Sequence, residues 1–256
     1  MDELIERIFS VYRKEFSTPQ IEVTVVFSDD VYDTLYGLSS NTNRKIIEQS
    51  KEWIRSLNGT IVTPDRIEEA FSIIINKNYV QEENCNWVGT LCHELTHIYD
   101  YMDITKYLNC NDFNEYSNKK NADMFQIWTE FHARARGHHC LRCFASGGDM
   151  QNNFIENYNF NTEMPFQVKH FSNEYSNNQG DGYKQMYAVA QFLGRLYVWE
   201  KLFPNNYTPQ TIHHIIGENR WIEELYNFFK EKDEFDKVKD SFGEMKEILC
   251  LNYKFT

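Results

Sequence analysis

The segment Trp87-Val88-Gly89-Thr90-Leu91-Cys92-His93-Glu94-Leu95-Thr96-His97-Ile98-Tyr99-Asp100-Tyr101-Met102 constrains this chain more than any other. It holds no proline, and Leu91, Leu95 and Ile98 recur at helical spacing, which predicts a mostly buried α-helix. Residues four apart on a helix lie one turn above each other on one face, so His93 and His97 can each hand a ring nitrogen to a single ion. Glu94, one position along, can reach a water on that ion. His-Glu-x-x-His thus supplies two metal ligands and a general base, the parts that metal-assisted hydrolysis needs. Without that chemistry the segment reads as an ordinary amphipathic helix that happens to carry two histidines.

The rest of the chain allows a sizeable core. At 256 residues it can form one large domain or two intimately packed lobes. The expectation is a single domain over 1–256, with 1–146 carrying a sheet and the metal helices and 183–256 a helical C-terminal part. With 26 Lys and Arg against 38 Asp and Glu the net charge is −12, and no extended basic run is present, which argues against a nucleic-acid or anionic-membrane partner. The opening residues Met1-Asp2-Glu3-Leu4-Ile5-Glu6-Arg7 do not resemble a secretory leader, and no run of 18 apolar residues occurs, so a cytoplasmic location is expected. Cys85, Cys92, Cys110, Cys140, Cys143 and Cys250 are too few and too scattered for a disulfide scaffold and are expected as free thiols.

Periodicity predicts a helix over 2–16, ended before Pro19, and a strand over 21–27. A second helix over 43–57 closes at Asn58-Gly59, followed by a short strand over 60–63 and the clearest strand, 71–76. Residues 109–121 are Asn-rich and read as a surface loop. Helical spacing resumes over 123–137. The stretch 147–182, dense in Asn, Gly and Ser, reads as a long loop over the cleft in which Phe154, Ile155, Phe166 and Val168 pack. Helices are predicted over 183–203, 208–216, 219–230 and 233–251. The fold class expected is α+β: a small mixed β-sheet, an active-site helix and a helix-rich C-terminal part.

A catalytic zinc site usually takes three protein ligands and keeps a fourth position for water. Three residues compete to complete the set. Glu130 lies on the second helix, where Ala133 on its face would allow a close approach. Asp103 lies six residues after His97, although that spacing normally needs a glycine at the position held by Asp100 so that the chain can turn back. His132 is about 200° around its helix from Glu130, so only one of the two can face an ion. Asp100 is placed to accept the second ring N–H of a ligating histidine, or else is a solvated charge near a helix end. Arg134 could neutralise Glu130 or bind a substrate carbonyl, or form a surface salt bridge. His170, Tyr183, Tyr187, His213 and His214 qualify by type as oxyanion donors. His138, Cys140 and Cys143 could hold a second metal, although buried thiols after a helix end are the plainer account.

The letters His93-Glu94-Leu95-Thr96-His97 resemble the metal helix of thermolysin-like gluzincins. Together with the later Glu130-x-x-Ala133, they look more like the zincin domains of bacterial and phage regulatory peptidases of the ImmA/IrrE group. That resemblance spans about residues 70–137. It implies a Zn2+ ion held by His93, His97 and Glu130, Glu94 as the base, and a protein or peptide substrate that pairs with a strand edge beside the metal helix, the strand over 71–76. The expectation is a zinc-dependent endopeptidase or related amide hydrolase. The alternative is a catalytically idle binding or regulatory module with structural zinc.

Overall fold

The computed structural model describes residues 1–67, 69–80, 85–113, 115–145, 164–206, 213 and 220–250, and for 41, 42, 46, 145 and 250 the backbone alone. The protein is α+β and mostly helical. It divides into two compact units, Met1–Asn118 with His139–Ala145, and Lys119–His138 with Ser146–Thr256.

In the first unit helix α1, Asp2–Phe16, ends where Ser17 turns into the left-handed region at φ 52°. Strand β1, Val23–Ser28, leads to α2, Val31–Leu38, whose first turn is capped by the Asp30 carboxylate accepting from the Asp33 N–H at 3.0 Å. The N–H of Asp33 also holds the Asp30 carboxyl below its ordinary pKa. The helix predicted over 43–57 is two, α3 (Asn41–Gln49) and α4 (Lys51–Arg55). Ser50 leaves helical geometry at φ −114° and restarts the turn by accepting from Ile54 N at 2.9 Å.

Strands β2 (Gly59–Val62) and β3 (Phe71–Asn76) complete a sheet of order β1-β3-β2. β1 runs parallel to β3, with Val23 opposite Phe71, and β2 antiparallel to it, with Gly59 opposite Ile75. The strand just upstream of the His-Glu-x-x-His segment is therefore the central one, not an edge. Its Phe71, Ile73, Ile74 and Ile75 are all buried, because both faces of β3 are covered. Phe71, Ile73 and Ile75 meet Ile8, Phe9, Leu91, Leu95 and Ile98 on one face, while Ile74 meets Val31, Leu35, Ile54 and Val62 on the other. The first face belongs to α1 and to α5, Asn86–Tyr107, which runs five residues beyond Met102 before Asn109 turns left-handed at φ 50°. In the predicted loop over 109–121 the described residues include a short 3-10 turn, Glu115–Asn118.

The second unit is helical. α6, Ala122–Ala145, continues past the predicted end at 137, and its residues 139–145 cluster with the first unit. α7 (Met164–Asn177) lies inside the stretch predicted to be loop; Phe171 stacks on Phe192 of α8 (Gly182–Leu202) at 4.5 Å. Phe166, expected to pack, is 63% exposed. Phe154 and Ile155 lie outside the described residues, as does the helix predicted over 208–216 except for His213. α9, Arg220–Glu231, follows. The helix predicted over 233–251 is α10 (Phe235–Val238) and α11 (Phe242–Cys250), parted where Ser241 N turns back to Val238 O at 2.7 Å. No helix among the described residues is long and apolar enough to cross a membrane.

Candidate metal centre

α5 is seated by contacts on the side away from its histidines. Tyr12 Oη and Thr96 Oγ1 lie 2.7 Å apart, and since the Thr96 hydroxyl donates to Cys92 O at 2.8 Å, Tyr12 is the donor to Thr96. The Tyr12 and Tyr99 rings stack at 5.9 Å, and Tyr99 Oη donates to Pro19 O at 2.5 Å. Those contacts, with the apolar bed of Leu91, Leu95 and Ile98, set the direction in which His93 and His97 point.

His93 and His97 are only 5% and 6% exposed, and their Nε2 atoms face each other at 3.0 Å with the rings at 88°. Two imidazole lone pairs at that range repel unless a proton or cation lies between them. Two ring nitrogens bound tetrahedrally to one ion at about 2.0–2.1 Å stand about 3.3 Å apart, close to this spacing. Glu94, next to His93, is buried. Tyr101, one turn beyond His97, stacks on its ring at 6.2 Å and meets Tyr116 at 5.5 Å, an aromatic wall that the sequence reading missed.

Asp100 is 2% exposed in the middle of α5, which removes its reading as a solvated charge near a helix end. Asp103 is exposed because the helix continues straight past residue 100 instead of turning back. His132, read as a supporting or surface residue, is buried: its ring stacks on Trp128 at 4.7 Å, and Nε2 is 3.9 Å from Glu234.

Glu130, half-buried on α6, accepts from Gln191 Nε2 at 2.6 Å. Arg134 donates its Nε–H to Gln191 Oε1, so its guanidinium reaches the amide rather than the Glu130 carboxylate. His93, His97 and Glu130 each offer a ligand atom, and these atoms all lie within 4.8 Å of one another. A shell of N and O donors at about 2.0–2.2 Å spans at most about 4.4 Å, close to that limit, so the group could hold a metal ion. Two imidazoles and a carboxylate form a donor set suited to a divalent first-row metal. Among the described residues no other group of three His, Cys, Asp or Glu side chains is so arranged.

Compared with protein-family models, curated proteins and solved structures, the chain matches none. The metal reading therefore stands on the cluster itself.

The second candidate cluster does not gather. His138 and Cys140 are buried within α6 rather than after its end, and the His138 ring meets Trp199 at 5.4 Å. Burial, reinforced by Cys140 and Glu15, pushes the Cys143 thiol up to about 12. His139 is paired with Glu15 at 2.8 Å. Among the oxyanion candidates, His170 and His213 are exposed and sit beside Glu174 (3.6 Å) and Glu223 (3.3 Å). Tyr183 is exposed, Tyr187 half-buried, and His214 lies outside the described residues.

Proposed function

We propose that this chain is a zinc-dependent metallopeptidase, or a related amide hydrolase, of the zincin kind, with His93, His97 and Glu130 as ligands and Glu94 as the base. The observation that carries this reading is the convergence of one ligand atom from each of those three side chains within 4.8 Å, with buried Glu94 beside His93. When bound, zinc supplies Lewis acidity, bringing the pKa of a water from about 15.7 toward 7 and polarising a carbonyl. Glu94 takes the proton of the attacking water and delivers it to the leaving amine. Asp100 is proposed to orient a ligand imidazole by accepting its second N–H. Tyr101 restricts the His97 ring by stacking on it.

The substrate proposed is a protein or peptide in extended form. Because β3 is central, the strand open to a peptide on the α5 side is β2, whose outer edge pairs with no strand among the described residues. β2 lies close against α5: a Cβ on Gly59 would come within 2.7 Å of Thr90 Cγ2, one turn before Glu94. A cytoplasmic setting is part of the proposal, supported by the free thiols at Cys85, Cys92, Cys110, Cys140 and Cys143.

Elemental mass spectrometry on tag-free protein, joined to a peptide-pool digest, tests this. One zinc per chain is expected in wild type, with a marked loss in His97→Ala and Glu130→Ala. Glu94→Gln should keep the metal and lose at least about 10²-fold in turnover. An active Glu94→Gln protein would end the proposal. Zinc without turnover of any peptide would identify the idle binding or regulatory module instead.

A further inference from the structure

Gln191 is a polar residue inside an apolar run, Val189-Ala190-Gln191-Phe192-Leu193 of α8, and is only 5% exposed. A buried amide is costly unless both of its ends are bonded. Here they are: Nε2 donates to Glu130 Oε2 at 2.6 Å, and Oε1 accepts from Arg134 Nε. The orientation of the amide follows from its partners. Flipping it would set its oxygen against a carboxylate and its NH2 against a guanidinium, both repulsive.

The helix crossing that makes this reach possible is also specific. A Cβ on Gly194 would lie 2.7 Å from Phe131 O and 2.9 Å from Arg134 Cβ, so α8 meets α6 at a point where only glycine fits. Gln191 is one turn before that point, and Glu130 and Arg134 flank it on α6. We infer that Gln191 is a positioning residue for the metal ligand Glu130, held in its donating orientation by Arg134. This rests on the reading of Glu130 as a ligand given above.

The Glu130 carboxylate has about four acceptor sites, and the amide takes one of them while restricting the side chain's rotamer. A neutral donor does this without cancelling the negative charge that the ion needs. Arg134 acts at one remove: it polarises the amide and prevents the flip. Neither Gln191 nor Arg134 need touch substrate.

The test is zinc affinity of the full chain, measured by competition with a chromophoric chelator, for wild type, Gln191→Met and Arg134→Met. The methionine at 191 nearly preserves volume and removes the donor. Loss of a partner that orients a metal ligand typically weakens the metal by about 10–100-fold, and that is expected for Gln191→Met. Arg134→Met, which frees the amide to flip, should lose less. The cobalt-loaded variants should show altered visible bands, which a merely structural role does not predict. Equal zinc affinity in Gln191→Met and wild type would overturn the assignment. If Gln191→Met does not fold, unchanged affinity in Arg134→Met overturns it. A wild type that takes up no zinc at all would remove the underlying metal reading, a result distinct from a normal wild type with indifferent variants.

Discussion

His93 and His97 owe their alignment to a single turn of α5 lying on an apolar bed, whereas Glu130 is held by a polar chain from a helix 61 residues away in sequence. The same contrast runs through the two units. In the first, α5 is fixed by Leu91, Leu95 and Ile98 and by two tyrosine hydroxyls, on Thr96 and on Pro19. In the second, aromatic packing is joined to charged links: Tyr226 and Lys230 on Glu200, Tyr197 and Lys237 on Asp233, and Arg136 on Glu234. Apolar seating is indifferent to pH and tolerant at side-chain tips. Polar relays depend on each member and on its protonation.

The largest expected effect is on metal. Zinc at 1,000 times its dissociation constant should stabilise wild type by about 4 kcal/mol, a shift of several degrees in a thermal melt. In Glu130→Ala the histidine pair remains and a reduced shift is expected, while His97→Ala should abolish it. If both variants respond alike, the local pair and the distant carboxylate contribute equally and the contrast fails.

The two close-packed glycines sharpen it next. Gly194→Ala drives a methyl into backbone, Phe131 O at 2.7 Å, while Gly59→Ala meets first the Thr90 methyl at 2.7 Å, a side-chain tip that can turn aside. Denaturant melts should show Gly194→Ala losing about 1–3 kcal/mol and Gly59→Ala less. The reverse order would mean that α8 can slide on α6.

What was legible in the sequence follows the same division. The histidine pair depends on four-residue spacing alone; periodicity predicts α1 and β3 with the bounds observed and α5 with an end five residues short. β3's central place was not predicted, because strand order is a tertiary outcome; its unbroken run of Ile73, Ile74 and Ile75, with no polar alternation, was the available signal. α7 was hidden by its Ser and Asn residues, since the Phe171 contact that holds it comes from Phe192. Of the three candidates for a third ligand, Glu130 is the one with a ligand atom within 4.8 Å of those of the histidine pair, while Asp103 is exposed and the His132 ring stacks on Trp128. Gln191 left only a faint trace, one amide in an apolar stretch.

A smaller effect should appear with acid. Burial raises the Asp233 carboxyl, but hydrogen bonds from Lys237 and Tyr197 outweigh it and hold the pKa below the ordinary 3.8. A group with a depressed folded pKa contributes stability above its unfolded pKa and loses it as pH falls through the folded one. Asp233→Asn should therefore cost about 1–2 kcal/mol at pH 7, and the difference from wild type should shrink below about pH 4. A gap that is constant from pH 7 to 3 would show that the charge plays no part in this link.

The smallest effect should be Tyr12→Phe. It removes the donor to Thr96 Oγ1 but leaves no buried hydrogen stranded, because the Thr96 hydroxyl still donates to Cys92 O. The expected loss is that of one neutral hydrogen bond, about 1 kcal/mol, with the Tyr12 ring still stacked on Tyr99. No group in this pair titrates between pH 3 and 8, so the loss should be the same across that range, unlike that of Asp233→Asn. Equilibrium unfolding at pH 7 and pH 3.5 separates the two cases. A Tyr12→Phe penalty that varies with pH would mean that the seating of α5 depends on a nearby charge, and the apolar account of the first unit would have to give way.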